Sequence, residues 1–250
     1  MILKNLIILS VFLTSTLFSS TISIAVAANA SYVIKPLIKE FNKLHPDIKV
    51  RVTLGSSGKL TAQIKHGAPY GLFMSANMLY PDALYRDKIA ITKPRIYAQG
   101  ALAYLSTKKR DLSKGLNLTK ESSIKKIAVA NPKTAPYGIA TKEALINAGI
   151  YEEIKHKFIY GESIGQTVSY TMVAADMGFI AKSALFSPSM KKYKESVNWN
   201  DVDQKLYTPI DQGVVILKNA TTNREVKSFY DFLFTKKAET ILQNFGYKIP

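Results

Sequence analysis

The segments ISIAVA (22–27), YVIKPLIKEFNKL (32–44), IKVRVTL (48–54) and KLTAQIKHG (59–67) follow one another in the first third of the chain. They read strand, helix, strand, helix. Each strand passes into its helix through a short polar turn, Asn29-Ala30-Ser31 and then Ser56-Ser57-Gly58. Such a turn presents unpaired backbone N–H groups and the positive end of a helix dipole. Two of them side by side can receive a doubly charged anion. Neither turn holds a basic or metal-binding residue; Lys59 lies just inside the second helix.

The first helix is marked by apolar residues at Val33, Ile34, Leu37, Ile38, Phe41 and Leu44, one face of a 3.6-residue period. Pro36 lacks an N–H and is tolerated only in or near the first turn. A start at Ser31 or Tyr32 is therefore expected, with Asn29 or Ser31 as the cap. A single polar turn of this kind is ordinarily a cap and nothing more. Its repetition along the chain is what points to a ligand.

Working outward, the same alternation recurs. Strands are expected at 22–28, 48–54 and 71–75, then a helix from Pro81 to Asp87. The apolar run Ala98 to Ser106 carries the chain into a second lobe. There IAVANP (127–132) is a strand and Pro136-Tyr137-Gly138 opens a helix that stops at Gly149. A strand ends near Glu162, Ser163-Ile164 opens a helix running to Ala175, and MGFIA (177–181) is a buried strand. GVVILK (213–218) is a strand, and Glu225–Phe234 and Ala238–Phe245 are amphipathic helices. This grammar implies an α/β protein of two lobes, each a mostly parallel sheet flanked by helices. The expected division is a signal segment at 1–20, lobe one at 21–100, lobe two at 101–208, and a return to lobe one at 209–250. In open α/β sheets ligands bind beyond the strand C-termini. Four helix-opening turns should converge there: Asn29 to Ser31, Ser57-Gly58, Tyr137-Gly138 and Ser163-Ile164.

A chain of 250 residues, 47% hydrophobic, suits one large or two small domains. There is no cysteine, which excludes disulfides, thiolate metal sites and cysteine nucleophiles. Lys4, the apolar run LIILSVFLTSTLF and the small residues after it indicate a secretory signal, with cleavage expected between Ser19 and Thr21. The mature protein is then expected in the periplasm. The formal net charge of +16 raises the question of nucleic acid, but the basic residues are spread and no basic cluster is joined to an aromatic stacking motif. No nucleic-acid partner is expected.

Six stretches together resemble the periplasmic molybdate-binding proteins of ABC importers. They are AVAANASY (25–32), LGSSGKLTAQIKHGAP (54–69), ANPKTAPYGIATKEAL (130–145), YGESIGQT (160–167), MGFIAKSAL (177–185) and NREVKSFYDFL (223–233). The resemblance covers residues 22–250 and implies the two-lobed type II periplasmic-binding-protein fold with the ligand in the cleft. It implies an oxyanion held by neutral donors: Ala28 through its N–H, Asn29 through its side-chain amide, Ser57 through hydroxyl and N–H, Tyr137 and Ile164 through their N–H groups. It implies no cofactor and no bare metal ion, molybdate or tungstate as ligand, a membrane permease as partner, and a monomer. Many relatives carry a Tyr where this chain has Ala181, so one donor differs.

Molybdate, tungstate and sulfate are dianions that only accept hydrogen bonds. A pocket of N–H and O–H donors suits them and penalises hydrogen phosphate, whose proton needs an acceptor. Glu162 is the one carboxylate beside a turn. The alternatives are a sulfate receptor, a ferric-ion receptor using Tyr137, Tyr160 and Tyr170, a DNA-regulator sensor domain, and a periplasmic enzyme. The three histidines, His45, His66 and His156, stand in polar helix-end contexts, and no GxSxG, HExxH or paired-carboxylate pattern is present. No catalytic residue is expected.

Overall fold

The computed structural model describes residues 20–250. Apart from Ser20, the expected signal segment lies outside them. Ser20 already belongs to the first strand, and its N–H donates to the Asp47 carbonyl at 3.0 Å.

The first lobe opens with β1 (Ser20–Ala27), α1 (Ile34–Leu44), β2 (Ile48–Gly55), α2 (Ser57–Lys65), β3 (Leu72–Met74), α3 (Leu79–Arg86) and β4 (Arg95–Gly100). The chain then enters the second lobe as β5 (Leu102–Leu105). There follow β6 (Ile127–Ala130), α4 (Pro136–Asn147), α5 (Tyr151–Ile154), β7 (Phe158–Gly161), α6 (Ile164–Val173), β8 (Met177–Ala181) and β9 (Trp199–Asp201). It returns through β10 (Ile210–Ile216), α7 (Arg224–Phe232) and α8 (Lys236–Asn244).

Two five-stranded sheets result, ordered β2-β1-β3-β10-β4 and β7-β6-β8-β5-β9. In each, the first three strands are mutually parallel and the fourth runs antiparallel to both its neighbours. Four strands of five therefore point the same way. The reversed strands, β10 and β5, are the ones entered by crossing between lobes. The run Ala98 to Ser106, read as one extended segment, is thus two strands in two sheets. β9 has no counterpart in the sequence reading; three residues carry too little periodicity to mark a strand.

The start of α1 also differs from expectation. Residues Ala28–Tyr32 form a 3₁₀ turn, and the α-helix begins at Ile34 without a side-chain cap. Pro36 is then its third residue, where the missing N–H would have had no intrahelical partner. The helix buries Ile34, Leu37 and Phe41. Phe41 meets Phe229 of α7 edge-on at 5.0 Å, so the C-terminal helices close the core of the first lobe. His45 ends α1 stacked on Phe41 at 4.6 Å, and His66 caps the end of α2, in keeping with structural roles.

Candidate functional site

The C-terminal ends of β1, β2 and β6 run into helices at the boundary between the lobes. Ala28, Asn29, Ser57, Tyr137 and Ile164, from four different turns, all line one cavity of about 10 Å³, closed on its remaining sides by Ala76, Ala135 and Pro136. That space is below the range of about 300–1,000 Å³ common for metabolite-sized ligands. It suits an ion of a few atoms.

Local capping chemistry explains why these turns bring free amides to the space. Ser56 caps α2 and accepts from the Lys59 N–H at 3.4 Å, which leaves Ser57 with the first free amide of the helix. Ser163 caps α6 through the Gln166 N–H at 3.3 Å, leaving Ile164. Pro136 opens α4 and has no N–H, so Tyr137 carries the first amide there. Ala28 opens the 3₁₀ turn after β1. Among the described residues, the amides of Ser57, Tyr137 and Ile164 donate to no other backbone group. A helix N-terminus with its cap satisfied and its first amide free is a donor for an anion.

The Ser57 hydroxyl is oriented. Its oxygen accepts from the Ala76 N–H at 3.0 Å, which leaves its own hydrogen to donate elsewhere. Asn29 behaves differently from the sequence expectation. Its side-chain N–H₂ donates to Gln212 Oε1 at 2.7 Å and to the Tyr247 hydroxyl at 2.9 Å, so both its N–H groups are engaged within the protein. Its carbonyl accepts from Ser183 Oγ at 2.9 Å and from the Tyr247 hydroxyl at 3.1 Å. Asn29 is thus a buried anchor that also lines the cavity, and it caps no helix. Gln212, Tyr247 and Ser183 were not named from sequence. They come from strands and loops far along the chain, and no local pattern connects them to residue 29.

Among the described residues, no charged side chain lines the cavity. Lys59 and Glu162 pair at 3.5 Å at its rim, across the lobes, and Glu162 also accepts from Ser56 Oγ at 3.4 Å. Both are about half exposed, so the pair contributes little on its own. A larger groove nearby carries Glu143 and Asp211, whose charge repels anions. Ala181 is buried in β8 and does not reach the cavity.

The lobes are closed on each other. The Gly58 N–H donates to the Thr134 carbonyl of the other lobe at 2.9 Å. A Cβ at residue 58 would lie 2.8 Å from the Tyr80 hydroxyl and 2.9 Å from that carbonyl.

The tyrosines considered for iron are not gathered. Tyr137 is buried beside Tyr97, Tyr207 and Tyr247, whereas Tyr160 is half-exposed on β7 beside Phe158. Burial pushes the phenols of Tyr97 and Tyr137 well up and that of Tyr247 to about 12. Ferric iron needs phenolates, which this environment disfavours.

Two lobes, each with a mixed sheet, closing over a small cavity of helix N-termini define a binding protein of the type II periplasmic class. The chain belongs to the bacterial extracellular solute-binding protein family, whose model matches residues 22–248. It is 32% identical to the molybdate-binding protein ModA of Azotobacter vinelandii over 231 residues, 92% of this chain and 90% of that protein. It is 33% identical to the ModA protein of Rhodobacter capsulatus over 79% of this chain and 77% of that one. The solved structure of the Azotobacter vinelandii periplasmic molybdate-binding protein superposes with a TM-score of 0.84 at 28% identity, covering 92% of this chain and 99% of that one. These relatives are receptors rather than enzymes.

Proposed function

We propose that this protein is the periplasmic receptor for molybdate and tungstate, which it delivers to an ABC import permease. The observation that carries this reading is the meeting of Ala28, Asn29, Ser57, Tyr137 and Ile164 at one small cavity without a charged lining residue, three of them with amides free of backbone partners. The relatives at 32% and 33% identity, both molybdate-binding proteins by name, support the choice of ion. Export through the N-terminal segment and action as a monomer belong to the same reading.

A tetrahedral dianion seated there accepts from the first amides of the helices and from the Ser57 hydroxyl. Each charge-assisted bond contributes roughly 1.5–3 kcal/mol, and the amides of Ala28, Ser57, Tyr137 and Ile164 with the Ser57 hydroxyl together offset the cost of immobilising the ion. The helix dipoles supply the compensating positive potential. Hydrogen phosphate is disfavoured because no carboxylate lines the cavity to take its proton. Sulfate is smaller, and donors held by closed lobes do not contract around it.

Titration calorimetry of the mature protein with the four anions is expected to show tight binding of molybdate and tungstate, much weaker binding of sulfate and none of phosphate. Equal affinity for sulfate would reject the size argument; tight phosphate binding would reject a donor-only cavity.

Ser57→Ala is expected to weaken molybdate binding by roughly 1.5–3 kcal/mol, the worth of one hydrogen bond to a charge. Tyr137→Phe should cost much less. The Tyr137 hydroxyl is buried without a partner and packs against Gly100, so its amide is the donor. Calorimetry on the two variants decides between them: a larger loss in Tyr137→Phe would make the phenol the contact.

A further inference from the structure

We propose that Gln212 is a positioning residue of this site: it sets the spacing of the donor turns without touching the ion, and thereby the discrimination between large and small tetrahedral dianions. This rests on the reading of the cavity as an oxyanion site. Gln212 is fully buried in β10, where the pairing register with β4 shifts between it and Gly213. Its neighbours further along the strand, Val214, Val215 and Ile216, are apolar and buried. An apolar side chain would fill such a position at lower desolvation cost.

Its amide is engaged on both sides. Oε1 accepts from Asn29 Nδ2 at 2.7 Å, and Nε2 donates to the Ile210 carbonyl at 2.8 Å and, more weakly, to the Ala76 carbonyl at 3.5 Å. Ala76 in turn orients the Ser57 hydroxyl through its N–H. One planar group is therefore bonded to the first turn and, through Ala76, to the second. It also stands next to the third. A Cβ on Gly100 would collide with the Tyr137 hydroxyl and lie 3.1 Å from Gln212 Nε2. The amide cannot be turned over, because Asn29 presents donors to it and Ile210 presents an acceptor. Gln212 does not line the cavity.

A purely structural role would lower stability and weaken all ions alike. A positioning role changes their ratio. The test uses the mature chain carrying Gln212→Met or Gln212→Glu, titrated with molybdate and sulfate at pH 8 and pH 6, with ligand-free melts alongside. In Gln212→Met, molybdate affinity is expected to fall by about ten- to a hundredfold, as for one or two lost hydrogen bonds. Sulfate affinity should fall less, so the ratio shrinks.

In Gln212→Glu, the carboxylate faces the Ile210 and Ala76 carbonyls at pH 8, and binding is weak. Burial raises the carboxyl pKa, so at pH 6 the protonated acid donates to Ile210 in place of the amide and affinity recovers. The surrounding phenols of Tyr97, Tyr137 and Tyr247 stay neutral across this range. Asp211, next in β10, lies on the other face of the strand and is held by Gln99 Nε2 at 2.9 Å. An unchanged molybdate-to-sulfate ratio in Gln212→Met overturns the proposal. If that variant does not fold, equal loss at both pH values in Gln212→Glu overturns it. Failure of the unmutated protein to bind molybdate would instead remove the oxyanion reading itself.

Discussion

Asn29→Asp is expected to abolish molybdate binding at neutral pH and to destabilise the fold. The change is nearly isosteric, but it removes both N–H donors that reach Gln212 and Tyr247. It also places a carboxylate at a position 1% exposed, beside the cavity proposed for a dianion. From the sequence, where Asp and Asn both cap helices, stability should hardly change. The structure reverses that expectation, because Asn29 caps nothing and an unpaired buried charge costs on the order of 3–5 kcal/mol.

The pH dependence has a definite sign. Burial raises the carboxyl pKa in the folded state above its unfolded value of about 3.9. The folded variant then holds its proton more tightly than the unfolded chain. Its stability is fully present below the unfolded pKa and is lost as pH rises through the folded one. Melts of Asn29→Asp should therefore approach the unmutated protein near pH 4 and fall away at pH 7. Asn29→Ser, with no charge, should retain substantial binding, although its side chain is too short to reach both partners. Normal molybdate affinity in Asn29→Asp would show that the cavity is not the site.

The second large effect is expected at Gly58. Its amide is bonded to Thr134 of the opposite lobe, and a side chain there would press on the backbone of that residue. The Tyr80 hydroxyl is the end of a flexible side chain and can move; the Thr134 carbonyl cannot without shifting the lobe. Gly58→Ala should weaken molybdate binding by at least about tenfold, which is 1.4 kcal/mol, and Gly58→Leu should abolish it. The ligand-free protein should be no less stable. Residue 58 is the second residue of α2 and has no positive φ, so Ala fits its backbone conformation. Small-angle scattering is expected to show a contraction when molybdate is added to the unmutated protein and none in Gly58→Leu. Retained affinity in Gly58→Leu would mean that closure at this contact does not contribute to binding. The two variants differ in kind: Asn29→Asp damages the donor environment, whereas Gly58→Leu leaves it intact and prevents the lobes from meeting.

Much of this architecture was legible in the chain. Strand and helix alternate with clear periods, and the helix starts are marked by Ser56, Ser163 and Pro136, all local signals. The family resemblance named Ser57, Tyr137 and Ile164 as donors; the structure supplies the local reason, since Ser56 and Ser163 cap and Pro136 opens the helices just before them. The grouping of these residues followed from the rule that ligands sit beyond strand C-termini, together with the family resemblance. Local pattern alone thus marked the alternating strands and helices and the polar turns that join them, while the resemblance proposed the donors within those turns. Tertiary structure alone decided the rest. The Asn29 amide is turned inward by Gln212 and Tyr247, which lie 183 and 218 residues away. The Ser57 hydroxyl is aimed by Ala76 across a sheet, and Gly58 is required by a carbonyl of the other lobe. Backbone donors at helix starts are set by neighbours in the chain. Side-chain orientation in a buried polar cluster is set by partners that only the folded topology brings within hydrogen-bond distance.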